Sequence, residues 1–96
     1  MVVIISKTKK LYNLPFEFIQ INEKVNIINE YQLEYKTQKI DFDYLLIDSI
    51  DLVDNINNLK ILIDEEPVVN FFQQTSQEHI YVGDIETALD HLINGE

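Results

Sequence analysis

The sequence predicts a three-layer α/β fold, in which helices cover both faces of a five-stranded, mostly parallel sheet. Four short runs, at 2–5, 44–47, 61–63 and 80–82, are almost entirely apolar. A strand with apolar side chains on both sides must be buried on both faces, which is typical of the inner strands of a parallel sheet. Helix-like spacing of apolar residues between the last three runs indicates the crossovers that parallel strands require.

The first strand covers residues 2–6, and a second apolar segment follows at 16–21. Glu17 and Gln20 interrupt that segment, and mixed polarity suits an edge strand better than a central one. Only the nine residues 7–15 join the two strands, whereas a parallel crossover usually needs a dozen or more. Either the first helix is shortened or missing, or the segment 16–21 runs antiparallel.

Residues 22–38 show helical spacing. Asn22 is a suitable N-cap, and apolar side chains then recur every three or four residues, at Val25, Ile28, Tyr31 and Tyr35. We expect an amphipathic helix that ends between residues 34 and 38. A strand at 31–35 is the competing interpretation, because the residues there also alternate with a period of two.

Two further strand and helix pairs are expected between residues 44 and 79. Strand 44–47 ends at Asp48, and a helical face follows it at Leu52, Val53, Ile56 and Leu59. Strand 60–63 precedes acidic residues and Pro67, a combination that favours a helix start. That helix would carry Val68, Phe71 and Phe72.

The chain closes with strand 79–82, a turn at Gly83 and Asp84, and a helix. The inner stripe of the helix comprises Ile85, Ala88, Leu89 and Leu92, and Gly95 stands where a helix stops. This element order predicts an open flavodoxin-like sheet. Residues 1–96 are the right length for one domain, which could also be the first domain of a longer protein.

Charge is the strongest compositional signal. The chain has a formal charge of -10, no cysteine and, among its seven basic residues, no arginine. Residues 1–40 hold six lysines and four glutamates, whereas residues 41–96 hold one lysine and thirteen acidic residues. We therefore expect no nucleic-acid binding, no disulfide and no thiolate metal site. No signal peptide or membrane-length apolar run is present, so a cytoplasmic location is expected.

Ligands of open parallel sheets lie beyond the carboxyl ends of the strands. Polar residues predicted at that edge are Ser6, Asn22, Asp48, Ser49, Asp64, Glu65 and Asp84. Three of these carboxylates, those of Asp48, Asp64 and Glu65, are candidate ligands for a hard cation such as Mg²⁺ or Ca²⁺. Helix capping by acidic residues is the alternative interpretation of the same pattern.

The strand 44–47 and the Asp48 that ends it resemble the third strand and phospho-acceptor aspartate of response-regulator receiver domains. Other functional positions differ from that family. Ser6 and Lys7 replace the acidic pair that holds magnesium, Asp64 replaces a serine or threonine, and Gly83 and Asp84 replace a lysine and proline. The chain is more similar to the non-phosphorylated receiver-like domains that stand in front of partitioning-type ATPases in pilus assembly. That resemblance implies a docking or dimerising domain without enzymatic activity or a cofactor.

A protein interface is predicted around the helix that follows strand 60–63, together with strand 79–82 and the last helix. Adjacent aromatic residues on a helix point about 100° apart, so one sheet can rarely cover both Phe71 and Phe72. An exposed aromatic ring there would suit an interface, together with Val69, Tyr81 and Ile85. Complete burial of both rings in the domain core is the alternative interpretation. His79 and His91 are expected to be ordinary surface or strand-start residues.

Three functions follow, in order of preference. The first is a non-enzymatic, receiver-like interaction domain that forms a homodimer or binds a protein partner. The second is a small acidic inhibitor, such as a mobile-element protein whose carboxylates replace nucleic-acid phosphates. The third is a receiver phosphorylated at Asp48. A salt-dependent partner would favour the second, because charge interactions between exposed groups are screened by salt.

Overall fold

A computed structural model describes residues 1–95 and shows two four-stranded sheets, a short hairpin and, within those residues, one α-helix. The strands are β1 (Val2–Ile5), β2 (Phe18–Ile21), β3 (Val25–Asn29), β4 (Gln32–Tyr35), β5 (Gln38–Asp41), β6 (Tyr44–Ile47), β7 (Val53–Asp54), β8 (Ile63–Asp64), β9 (Glu66–Pro67) and β10 (Ile80–Val82). The helix is α1 (Ile85–Asn94), and 3₁₀ turns occupy Ile50–Leu52 and Ile56–Leu59.

The first sheet is parallel throughout and has the order β10, β6, β1, β2. Strand β2 pairs in parallel with β1, which settles the direction of the 16–21 segment. The connection between them contains no helix and instead packs side chains of Tyr12, Leu14 and Phe16 against one face of the sheet. The Gln20 amide fixes this connection, since it donates to the Lys10 carbonyl at 2.6 Å.

The second sheet has the order β5, β4, β3, β7 and replaces the helix predicted over 22–38. Strands β3 and β4 form an antiparallel hairpin, and the Asn29 side chain accepts a 2.8 Å hydrogen bond from the Tyr31 amide in its turn. The helical prediction was wrong because Val25, Ile27 and Leu33 are buried with the period of a strand, against the parallel sheet. The competing strand at 31–35 is the correct interpretation of that segment.

The predicted five-stranded, three-layer α/β fold of flavodoxin-like type is therefore wrong. The parallel sheet has four strands, because Ile61 enters the core outside a strand and Ile63 begins the separate β8–β9 hairpin. Neither helix predicted between residues 49 and 79 forms. Asn55 and Lys60 adopt left-handed φ angles of 60° and 57°, and Glu65 and Gln73 do so in the next segment. Such residues interrupt a right-handed helix.

Both faces of the apolar strands are nevertheless buried, by two different layers. One face, with Val3, Ile5, Leu45 and Ile47, packs on the second sheet. The opposite face, with Val2, Ile4, Leu46 and Tyr81, packs on Ile85 and Leu89 of α1 and on the β1–β2 connection. Continuous apolar runs thus predicted burial correctly without predicting which elements provide it.

The last helix has the expected boundaries. The Asp84 carboxylate accepts hydrogen bonds from the amide (3.1 Å) and hydroxyl (2.6 Å) of Thr87, and Gly95 ends the helix with a φ of 74°. Within residues 1–95, no helix has the length and apolar character that a membrane crossing requires.

Replacing Asp84 by alanine should lower the free energy of unfolding by about 1 kcal/mol at neutral pH, as expected for loss of an N-cap. Asp84→Asn retains an acceptor and should cost less. The Thr87 hydrogen bonds hold the pKa of Asp84 below its usual range. This contribution is therefore present above the unfolded-state pKa and is lost as the pH falls through the folded-state pKa. Urea unfolding at neutral and acidic pH measures it, and an undiminished difference between wild type and Asp84→Ala in acid would contradict it.

Candidate functional site

The carboxyl edge of the parallel sheet holds Asp48 in a hydroxyl network. The Ser6 and Ser49 hydroxyls each donate to the Asp48 carboxylate at 2.7 Å, and Thr8 extends the network through its 2.9 Å contact with Ser6. Lys7, which directly follows Ser6 in the chain, forms an ion pair with Asp51 instead. These contacts suit a carboxylate that joins the loops after β1 and β6, and phosphorylation of Asp48 stays a prediction.

Tyr12 lies near the carboxylates at this edge. Partial burial raises the pKa of its phenol, and the carboxylates of Asp48 and Asp84 raise it further.

Asp64 and Glu65, the other two predicted cation ligands, lie in the β8–β9 hairpin. Across residues 1–95, no group of three or more histidine, cysteine, aspartate or glutamate side chains is placed to hold a metal ion. The cation site therefore remains a prediction from the sequence alone.

The predicted interface residues separate into exposed and buried sets. Tyr81 and Ile85 are core residues, and Val69 is half-buried. Phe71, by contrast, is 95% exposed, and Phe72 is partly exposed, with its ring stacked on the His91 imidazole at a centroid distance of 4.3 Å. The exposed aromatic ring expected from this pair is therefore Phe71.

Phe71 is held out by an ordered turn. The Asn70 side-chain oxygen accepts hydrogen bonds of 3.0 Å from the amides of Phe72 and Gln74. The Asn70 and Gln74 backbones are also joined, and Gln73 donates to the Asn70 carbonyl at 3.1 Å. This turn follows the β8–β9 hairpin, where a 3.0 Å bond from the Val68 amide to the Leu62 carbonyl brings two more exposed apolar residues together. We call Leu62, Val68 and Phe71 the apolar triad.

Acidic side chains accompany the apolar triad along the chain. Most lysines form ion pairs elsewhere, among them Lys10 with Glu86, Lys24 with Asp54 and Lys60 with Glu30. In the part of the chain that the structure describes, no lysine pairs with the acids of the same segment, which are Asp64, Glu65, Glu66 and Glu78. Residues 61–79 thus combine exposed apolar groups with uncompensated negative charge.

A cleft of about 910 Å³ lies at the opposite, amino edge of the parallel sheet. Glu17 precedes β2, Asp43 precedes β6, and Glu78 and His79 precede β10. Each strand of the parallel sheet except β1 therefore has one carboxylate at this edge. At β1 the α-amino group of Met1 contacts Asp43 at 2.5 Å. We call this region the amino-edge cleft.

Aromatic rings form much of the wall of the amino-edge cleft. Tyr31 stacks on the His79 imidazole at a centroid distance of 4.6 Å, and His79 Nε2 lies 2.6 Å from the Glu30 carbonyl oxygen. On the other side, His91 Nδ1 lies 2.8 Å from the Tyr81 hydroxyl. Burial raises the pKa of Tyr81, with smaller effects from Tyr44 and Glu78. Both histidines are therefore ordered parts of a wall rather than isolated surface groups.

Sequence reasoning missed the amino-edge cleft because it examined the carboxyl edge, where open parallel sheets usually bind ligands. A signal was available, since Asp43 stands directly before a predicted strand and Glu78 directly before another. The contributions of Tyr31 and His91 could not be found this way. They come from the second sheet and from α1, whose positions depend on the tertiary structure.

Comparisons of the chain with protein-family models, with curated proteins and with solved structures found no match.

Proposed function

We propose that this chain is a non-enzymatic protein-interaction module that binds a basic protein partner through the apolar triad and its acidic surroundings. The observation that carries the proposal is Phe71, a large aromatic side chain that is 95% exposed on a hydrogen-bonded turn. Exposed aromatic residues are common anchors of protein interfaces, because they bury a large apolar area when a partner provides a pocket.

The order of the turn supports an anchor role. A partner that binds a flexible loop must offset the entropy lost when that loop becomes ordered. The Asn70 side chain, directly before Phe71, already holds the backbone after Phe71 by accepting hydrogen bonds from the amides of Phe72 and Gln74. The ring is therefore presented by a formed structure, which lowers the cost of association.

Charge favours a basic partner over a second copy of the chain. Two copies would each bring a formal charge of -10, and the acids of residues 61–79 would face one another across a shared triad. Like charges placed across an interface weaken association and slow the encounter. A partner with lysine or arginine residues around an apolar pocket would instead complement the acids and the triad together.

A second candidate function is the small acidic inhibitor, which the charge of -10 also favours. Its partner would be a basic, nucleic-acid-binding protein. The two functions differ in the role of Phe71, because an inhibitor that imitates phosphates would bind through carboxylates and would depend strongly on salt.

Phe71→Ser should weaken partner binding by roughly 30-fold or more, as expected for an interface anchor. It should change the free energy of unfolding by only about 0.5 kcal/mol or less, because the ring has few contacts to lose. Leu11→Ser is a matched control, since Leu11 is 89% exposed on the β1–β2 connection, outside the triad.

The partner can be identified by placing a photo-crosslinking amino acid at position 71 and, as a control, at position 39 on β5. We expect a basic protein to crosslink at position 71 only, and its purified form to bind wild type and Leu11→Ser equally. A partner that binds Phe71→Ser as tightly as wild type, with a steep loss of affinity in salt, would transfer the assignment to the acidic inhibitor. A crosslinked second copy of the chain would overturn the basic partner in favour of the homodimer.

A further inference from the structure

We propose that the amino-edge cleft binds a linear organic polycation, with positive groups near both ends of an extended chain. This inference does not depend on the proposed function, because the apolar triad does not line the cleft. Its basis is the combination of two unpaired carboxylates, aromatic walls and a volume of about 910 Å³.

The carboxylates differ in availability. Asp43 is engaged by the α-amino group of Met1 at 2.5 Å. Within residues 1–95, the side chains of Glu17 and Glu78 have neither a hydrogen-bonding partner nor an ion pair, although both line the cleft. The cleft therefore offers free negative charge at its two ends and a compensated pair between them.

The separation of the ends follows from the sheet order. Glu17 precedes β2 and Glu78 precedes β10, which are the outer strands of the four. Three strand spacings of about 4.8 Å place the backbones of the two residues roughly 14 Å apart. An extended chain with a cationic group at each end can place one such group beside each of the two residues over a span of this order.

The wall between the ends suits an aliphatic chain with positive charges. Tyr31 and Tyr44 are exposed large side chains that line the cleft, and Phe16 lies nearby at the β2 side. Methylene groups can pack on these rings, and an ammonium group above a ring gains a cation–π interaction. Anionic ligands are disfavoured by the same carboxylates.

Two sources share this ligand chemistry. A free polyamine carries ammonium groups along an aliphatic chain. An extended peptide with lysines four residues apart places two ammonium-bearing side chains about 13 Å apart on one face. The probes are therefore a tetraamine (spermine), a short diamine (putrescine) and a five-residue peptide with lysine at both ends and glycine between.

Isothermal titration calorimetry at physiological ionic strength tests the proposal. We expect spermine or the peptide to bind with one-to-one stoichiometry and putrescine to bind at least about fivefold more weakly, since its chain is much shorter than the backbone separation of Glu17 and Glu78. Whichever of spermine and the peptide binds with the higher affinity identifies the source of the ligand, a free polyamine or an extended peptide. If neither long probe gives a saturable signal, the proposal is overturned.

A pair of variants separates the cleft from the general negative charge. Glu17→Gln combined with Glu78→Gln should weaken binding of the long probe by roughly tenfold or more. Glu34→Gln combined with Glu66→Gln changes the net charge equally at two residues outside the cleft and should leave the affinity within about twofold of wild type. Equal losses in both double variants would show diffuse counterion attraction and would overturn the site.

Discussion

Replacing Leu33 by alanine should lower the free energy of unfolding by about 2 to 5 kcal/mol, the usual cost of removing a buried leucine side chain. Leu33 is 0% exposed and lies on β4 in the core between the two sheets. Tyr31→Ala should cost less, because Tyr31 is 58% exposed and its ring stacks on the partly exposed His79. Equilibrium unfolding in urea, followed by far-UV circular dichroism, gives both values.

This pair of variants discriminates between the two interpretations of residues 22–38. The predicted helix would bury Val25, Ile28, Tyr31 and Tyr35, so Tyr31 would be costly to remove and Leu33 would lie off the buried stripe. The β3–β4 hairpin reverses that order, since Val25, Ile27 and Leu33 face the core. A larger loss of stability for Tyr31→Ala than for Leu33→Ala would refute the hairpin.

Truncation of either central leucine of β6 should have a comparably large effect. Leu45 faces the second sheet and Leu46 faces α1, and both are fully buried. We expect Leu45→Ala and Leu46→Ala each to cost about 2 to 5 kcal/mol, because each leaves a cavity in a packed layer. Leu62→Ala is the matched control, with 60% of the side chain exposed, and should change stability by about 0.5 kcal/mol or less.

The comparison of Leu45 and Leu46 measures the two layers separately. If only one face of the sheet were covered, one of the two substitutions would change the free energy of unfolding very little. If Leu46→Ala cost less than about 1 kcal/mol while Leu45→Ala remained costly, the packing of α1 and of the β1–β2 connection on the sheet would be wrong. Chemical denaturation of the three variants under one set of conditions provides the measurement.

Several local features followed from the sequence. The four apolar or mixed segments that form β1, β2, β6 and β10 were expected as strands, and they pair in parallel. The limits of α1 at Asp84 and Gly95 were also expected, because capping depends on residues next to each other in the chain. The exposure of Phe71 does not belong to this group, because it was predicted from a helix that does not form.

The candidate sites also divide into one that the sequence predicted and one that it did not. Sequence reasoning named Asp48 from its position after an apolar strand, and the structure places it in a network with Ser6 and Ser49. It did not find the amino-edge cleft, since Tyr31 and His91 are 60 residues apart and belong to different layers. Lining residues of this kind come together only when the layers pack.

The sequence was enough to establish three buried strands of the parallel sheet (β1, β6 and β10), the final helix with its caps, and the acidic charge. Each depends on runs of adjacent residues or on composition. Only the tertiary structure decided that residues 25–35 form a hairpin rather than a helix, and that a second sheet, not helices, covers one face of the parallel sheet. The spacing of Val25, Ile28, Tyr31 and Tyr35 is compatible with a helix, and the balance is decided by which side chains can fill the core against Ile5 and Ile47.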